Sequence, residues 1–397
     1  MLTEGALEGI RVLDATQMLA GPIAAMRLGD LGAEVLKIEP LQGEWTRLHG
    51  FAGAEINGET NAVLGLNRNK KSVTINLKHE QGLQTLYELV EQSDVFLQNY
   101  RPGTAERLGV GYEQLSEINP RIVYGSISGY GEDGPYAATR PGQDLIIQGY
   151  SGSMYSVGSK DDPPIPGAMW AADSMTGYQA CIGILAALIA RGKTGKGQKV
   201  AVNMLSVAMD CQSQEMVTYL NLGIMPERTE SPFAHAWVTA PYGIYPTKDS
   251  WLIISQSPLH ILGEALDNDR LREMTDWNDG VRHRDEIYQI VRSITPTRTT
   301  AEWLKIFDDL KLWSGPVYNY RDLENDPHVQ ATGMITSIAH PKAGNLRMPN
   351  VPIQMSDTPA AIRLPPPLLG EHTDEVLSSL LGYDRERLAM LHEAGAI

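Results

Sequence analysis

Short apolar runs alternate with helical spacings over the first 130 residues. Ile10-Arg-Val-Leu-Asp14 reads as a strand. Gly21-Pro22 opens a helical stretch through Ala24, Ala25, Met26, Leu28 and Leu31. Pro22 suits its first turn, Gly32 ends it, and Ala33-Glu-Val-Leu-Lys-Ile38 follows as a second strand. A strand, a helix and a strand in close succession imply parallel pairing, because a parallel neighbour needs a crossover. Ser72 to Leu77 alternates as a strand, Gly82 to Glu91 has helical spacing, and Val95 to Gln98 and Arg121 to Ser128 add two more strands. This pattern predicts a doubly wound, Rossmann-like α/β domain.

Beyond residue 220 the periodicity weakens. Asn221 to Ala240 reads as a connector, and Tyr242 to Ser255 as a hairpin turning at Lys248-Asp-Ser. Helical patterns follow over Asp285 to Ile294 and Ala301 to Leu310. Six prolines between Pro349 and Pro367 exclude a sheet or helix interior and predict an extended connection. Asp374 to Leu381 and Asp384 to His392 close the chain as helices. The expected organisation is a large α/β domain over 1–220, a smaller α+β domain over 225–330, and a return to the large domain over 335–397. The longest apolar run, Tyr178 to Ala190, has 13 residues, too few to span a bilayer, and reads as a buried helix. Met204 to Met216 reads as a core helix.

Composition narrows the function classes. The net charge of −15 argues against a general nucleic-acid binder, which needs a basic face. It leaves room for an anionic small ligand met by a local basic patch. Two cysteines, Cys181 and Cys211, are too few for a disulfide scaffold or a cysteine-rich metal site. The first residues, Met-Leu-Thr-Glu, are acidic where a secretory leader is basic. The expectation is a soluble cytoplasmic protein with no metal, no membrane and no nucleic-acid partner.

Gly129-Tyr-Gly131-Glu-Asp-Gly134 matches a dinucleotide fingerprint, but Pro135-Tyr-Ala-Ala-Thr-Arg-Pro141 follows as a loop where a phosphate-capping helix is required. The segment Pro166-Gly-Ala-Met-Trp-Ala-Ala-Asp173-Ser-Met-Thr-Gly177 is more informative. Asp173 stands just ahead of the apolar helix. Its plainest role is an N-cap. The alternative role uses the same geometry, since a helix N-terminus favours the ionised carboxylate. Such a carboxylate, against an apolar wall and beside a glycine (Gly167 or Gly177), can act as a nucleophile.

In order and spacing, several motifs resemble the class III CoA-transferase family, the group of formyl-CoA transferase, carnitine CoA-transferase and α-methylacyl-CoA racemase. They are Leu7-Glu-Gly-Ile-Arg-Val-Leu-Asp14, Ala20-Gly-Pro22, Leu31-Gly-Ala-Glu-Val-Leu-Lys-Ile-Glu39, Asn67-Arg-Asn-Lys-Lys-Ser72, Asn99-Tyr-Arg-Pro-Gly103, Ser128-Gly-Tyr-Gly-Glu-Asp-Gly-Pro135, Thr194-Gly-Lys-Gly-Gln198 and Leu369-Gly-Glu-His-Thr373. The resemblance implies an interlocked homodimer and transfer of CoA from an acyl-CoA donor to a carboxylic acid. Asp173 falls on the family's catalytic aspartate and would form anhydride and aspartyl-CoA thioester intermediates in turn. CoA contacts fall on Leu19, Ala20, Leu77, Lys78, Asn99, Tyr100, Arg101, Arg107 and Arg140, although any single cation here also reads as a solvated surface group. The acyl or acceptor pocket falls on Gln17, Gln143 and Asp144, and His372 reads as a structural turn residue.

The racemase branch needs acid and base groups flanking the α-carbon. Its histidine position is Gln143 here, which cannot take a proton from carbon, so transfer is favoured over isomerisation. A non-catalytic CoA-binding protein is the third reading. Two family features depart. A nucleotide-binding arginine is replaced by Pro40, and no glycine run covers the aspartate near Val238 to Ser257. Arg68, Lys70 and Lys71 form a basic cluster that would either assist CoA or lead into a strand.

Overall fold

The computed structural model describes residues 5–225 and 227–397; the acidic stretch Met1 to Glu4 lies outside the described residues. The chain divides into two compact units. One comprises Met1–Ile147, Trp170–Ala208 and Pro327–Ile397, the other Gln148–Met169 and Met209–Asp326. The expected boundaries put 148–169 and 209–220 in the large domain; both segments fall in the second unit.

The first unit is built on a six-stranded sheet. Its strands are β1 (Arg11–Asp14), β2 (Glu34–Glu39), β3 (Lys70–Thr74), β4 (Val95–Gln98), β5 (Val123–Ser128) and β6 (Lys199–Asn203). They run in the order β3-β2-β1-β4-β5-β6, with every pair parallel. Sequence-adjacent strands lie side by side outward from β1 on one flank and from β4 on the other. The crevice between β1 and β4 is therefore a topological switch point, where the loops at the strands' carboxyl ends part and leave room for a ligand. Strand β3 begins at Lys70, two residues before the expected start, and β6 is absent from the sequence expectation.

Helices cover both faces, which explains why the central strands β1, β2 and β4 are buried almost along their whole length. On one face α1 (Ala20–Asp30) packs against α4 (Ala171–Thr194), with Val12, Ala24, Leu28, Val35, Leu97 and Ile184 between them and the sheet. On the other face α2 (Glu80–Glu91), with α3 (Tyr112–Ile118) beside it, meets the closing helices, so that Leu13, Leu36, Phe96, Leu86 and Leu115 pack with Leu377, Leu388 and Ile397. Residues 350–367 have no helix or strand, as their prolines require. The extended segment is held from outside: the Ala361 N–H donates to the Asp30 carbonyl, and the Asn69 N–H to the Leu364 carbonyl. A hairpin, Ile335–His340 with Gly344–Pro349, precedes it.

Two expectations about helices are corrected. Helix α4 has 24 residues and buries only one face, through Ala180, Cys181, Ile184 and Ala187; Ile182 and Ile189 are 58% and 65% exposed. Among the described residues it is the one helix long and apolar enough to cross a membrane. Met204 to Met216 is not one core helix. It breaks into Met204–Asp210 and a second helix, Ser213–Leu222, of which no residue is buried.

The second unit is α+β. Strands β7 (Gly243–Pro246), β8 (Trp251–Ile254) and β9 (Ser314–Pro316) form an antiparallel sheet in the order β9-β8-β7. Helices α5 (Leu259–Leu266), α6 (Arg284–Ile294) and α7 (Thr300–Asp309) pack on it around Tyr245, Leu252, Leu262, Ile287, Trp303 and Phe307. The Trp303 indole N–H donates to the Thr295 carbonyl at 2.7 Å, which satisfies the polar end of a fully buried ring.

Candidate active site

The turn from β1 into α1 forms one wall of the switch-point crevice. Asn99, just past β4, reaches across it: its side-chain carbonyl accepts the Gln17 N–H at 2.9 Å, and its amide donates to the Gln17 carbonyl at 2.7 Å. With both ends of its side chain engaged, Asn99 orients the turn. Met18 adopts a left-handed backbone with φ 68°, a conformation a side chain of this kind seldom takes. Ala20 then starts α1 with its N–H outward, because Leu19 at the cap position offers no side-chain acceptor.

Asp173 faces that N–H. Position 173 is the third residue of α4, and Trp170 occupies the cap position without a capping side chain. The N-cap role is therefore not the one it plays. Its own N–H donates to a carboxylate oxygen of Asp144 at 3.0 Å, and Asp144 is 2% exposed. The close approach of α4 to α1 depends on Gly177, where a Cβ would stand 2.6 Å from the Ala20 carbonyl oxygen.

The ionisation of Asp173 differs from the expectation. Burial first, then the like charge of Asp144, push its pKa up to about 7, while the Ala20 N–H pulls the other way. Desolvation outweighs the helix N-terminus because it acts on the whole carboxylate, whereas the dipole acts through partial charges. Near neutral pH the group divides between acid and carboxylate. A carboxylate in a weakly solvated pocket beside one fixed N–H donor is equipped to attack a carbonyl and to have the resulting oxyanion stabilised.

Two grooves open at the carboxyl ends of the strands. One, of about 380 Å³, is lined by Gln17, Pro40, Asn76, Leu77, Lys78 and Tyr100 among others. The other, of about 140 Å³, is lined by Tyr100, Arg101, Ser126 and Glu132 among others. The structure thus groups Gln17, Leu77, Lys78, Tyr100 and Arg101 around the crevice, and Ala20, Asp144 and Asp173 at its α1 end. Leu19 is buried behind the turn. Arg107 and Arg140 line neither groove: Arg107 donates to the Thr104 hydroxyl at 2.8 Å, and Arg140 lies over the Tyr136 ring at 4.6 Å. Gln143 is exposed, and its carbonyl accepts the Ile147 N–H.

Of the two roles expected of the basic cluster, the strand-leading turn is the one the structure shows: Arg68 lies in a turn that runs into β3 at Lys70. Arg68 and Lys70 are buried, at 4% and 0% exposure. Arg68 pairs with Asp30 at 2.8 Å, and Lys70 pairs with Asp14 at 2.8 Å. Lys37, also fully buried, pairs with Glu44 at 2.8 Å. Burial pushes the Lys70 ammonium down to about 8, against the pull of Asp14. Asp14 itself is held below the ordinary carboxylate range, because Lys70 and Lys37 outweigh its burial. Sequence reasoning missed Lys37 and Glu44. The available signal was a lysine inside an apolar strand, Val35-Leu-Lys-Ile38, where a lysine stays only if paired.

Known proteins place this geometry in context. The sequence profile of CoA-transferase family III matches residues 7–373. The chain is 35% identical to succinyl-CoA:glutarate CoA-transferase of Homo sapiens, covering 98% of this chain and 90% of that one. It is 33% identical to formyl-CoA:oxalate CoA-transferase of Streptomyces coelicolor, covering 100% of both. Among solved structures, a CAIB/BAIF family protein from Brucella suis superposes with a TM-score of 0.82 at 28% identity, covering 95% of this chain and 100% of that one.

Proposed function

The chain belongs to CoA-transferase family III, and from that premise we propose that it moves CoA from an acyl-CoA donor to a carboxylic acid with Asp173 as nucleophile. The Asp173 carboxylate attacks the thioester carbonyl, the C–S bond breaks, and CoA thiolate leaves behind an aspartyl–acyl anhydride. The thiolate attacks the aspartyl carbonyl, releasing the donor acid and leaving an aspartyl-CoA thioester. The acceptor carboxylate attacks that thioester and expels the thiolate, forming a second anhydride. The thiolate then attacks the acceptor's carbonyl, and Asp173 is regenerated. Each step exchanges one activated acyl group for another. The protein therefore positions groups and stabilises oxyanions, and it must keep water from the anhydrides.

The observation that carries this reading is the Asp173 carboxylate set against the Ala20 N–H and the Asp144 carboxylate at the end of a switch-point crevice. CoA lies along the crevice past Gln17, Leu77 and Tyr100, with Lys78 and Arg101 meeting phosphate as point charge and fork. Two chains form the interlocked homodimer. The exposed Val217, Leu220 and Leu222 of the helix Ser213–Leu222, together with Ile182 and Ile189 on α4, support that assembly by presenting apolar surface that a partner would cover. The free thiols of Cys181 and Cys211 accord with a reducing, cytoplasmic setting.

The test is chemical trapping. Enzyme incubated with acyl-CoA and hydroxylamine gains a hydroxamate at Asp173 and loses turnover, whereas Asp173→Ala gains no hydroxamate and has no turnover from the start, while its CoA affinity stays within about tenfold. An adduct on another side chain, or turnover retained in Asp173→Ala, overturns the mechanism. Exchange of the α-proton with solvent deuterium, without transfer, points instead to isomerisation.

A further inference from the structure

The turn over residues 15–22 lies outside regular structure until α1 begins, yet buried side chains hold its backbone. Asp14 accepts the Thr16 N–H at 3.0 Å, and the Thr16 carbonyl accepts from the Lys37 ammonium at 3.1 Å. Glu44 accepts the Met18 N–H at 2.9 Å. The Pro22 carbonyl accepts from the Lys70 ammonium at 3.0 Å, and the other two acceptors of that ammonium, Asp14 and Asn67, complete its three donors. These contacts bring residues from β1, β2, β3 and the segment after β2 onto a single turn. Asp14, Lys37 and Lys70 are 0% exposed and Glu44 is 2% exposed.

Buried ion pairs are a poor way to stabilise a sheet, since well-packed apolar side chains of equal volume do as well or better. Each of these two pairs, however, divides its hydrogen bonds between its partner and the turn. The left-handed Met18 is the residue whose N–H Glu44 grips, and two residues later Ala20 presents its N–H to Asp173. The far side is closed too: a Cβ on Gly21 would stand 2.3 Å from the Thr16 Cβ.

We propose that the buried pairs Lys37–Glu44 and Lys70–Asp14 are positioning residues that lock the 15–22 turn, so that the Ala20 N–H is already aimed at the reacting aspartyl group before substrate binds. None of the four touches substrate. Their effect is to remove the reorganisation that a free turn would undergo as the oxyanion develops. The inference rests on Asp173 as nucleophile, and its test separates the two.

The first measurement needs no variant. Amide hydrogen exchange in the wild-type protein should leave Thr16 and Met18 as protected as the amides of β1. Exchange as fast as in the exposed turn at Asn57 and Gly58 overturns the proposal. The second uses the neutral pairs Lys37→Met with Glu44→Gln, and Lys70→Met with Asp14→Asn. Each removes both charges together, so that no unpaired ion is left inside. A pair that melts within about 5 °C of wild type should lose about 30-fold in kcat while the acyl-CoA KM stays within about threefold. A merely structural role would lower the melting temperature and the active fraction but would leave kcat per active site, counted by active-site titration, unchanged. A folded neutral pair with kcat within about threefold of wild type overturns the proposal. Asp173→Ala measured alongside distinguishes the failures: turnover retained there removes the nucleophile reading itself, whereas loss there with unchanged neutral pairs removes only the positioning role.

Discussion

Replacing Asp144 by asparagine should shift the pH dependence of catalysis in a known direction. The substitution keeps the shape of the side chain, and its amide oxygen still accepts the Asp173 N–H that Asp144 accepts at 3.0 Å. The negative charge beside Asp173 is what disappears. With burial and Asp144 together raising Asp173 from 3.8 to about 7, part of that rise must vanish and part must remain. Two charges on the order of 5 Å apart, at an effective dielectric constant of about 40, repel by about 1.7 kcal/mol, or roughly one pH unit. The wild-type kcat/KM for acyl-CoA should climb as pH rises through about 7 and then level off, because the ionised form of Asp173 attacks. In Asp144→Asn the climb should be centred about one unit lower, so that at pH 6 about half of Asp173 is ionised instead of about a tenth. The assay is the initial rate of adduct formation by rapid quench and mass spectrometry, from about pH 5 to pH 9. An inflexion that stays in place, or moves upward, refutes the electrostatic account of the pair.

The same shift bears on stability. The folded state binds the Asp173 proton more tightly than the unfolded chain does, so its contribution to stability is full below about pH 4 and is lost as pH rises through about 7. Asp173→Asn should therefore melt above wild type at pH 8, by about 2 kcal/mol once partial solvent access is allowed for, and match it near pH 4; a lower melting temperature at pH 8 counts against this. Gly177→Ala places a methyl 2.6 Å from the Ala20 carbonyl oxygen and 2.9 Å from the Ile23 Cβ. Overpacking between α1 and α4 should destabilise by about 1–3 kcal/mol and lower kcat of the folded fraction by about 100-fold, read by calorimetry and active-site titration. Lys78→Ala, on the wall of the larger groove, should raise the acyl-CoA KM by about threefold to tenfold with kcat unchanged. The increase should shrink at high salt, as for a screened phosphate contact.

Much of the frame was legible because it is local. Val95 to Gln98 is a strand with the expected bounds, the hairpin after Tyr242 pairs as expected, and the prolines beyond Pro349 keep their segment extended. The misreadings share a cause. In sequence Lys70 reads as a residue that assists CoA or leads into a strand, and its burial is not legible there because its acceptors lie elsewhere in the chain: the Asp14 carboxylate 56 residues away and the Pro22 carbonyl 48 away. The expected start of β3 falls two residues late for the same reason. The apolar run in α4 reads as a buried helix, but hydrophobicity does not specify which face a helix turns to its neighbours.

Membership of the family, the order of strands and helices, and the candidacy of Asp173 were all present in the residue order, because short-range periodicity and motif spacing are properties of the chain itself. The charge state of Asp173, the exclusion of Arg68 and Lys70 from a phosphate-binding role, and the clamping of the 15–22 turn were decided only by folding. Each depends on desolvation and on charges brought together from distant positions, and neither quantity exists until the sheet has closed around them.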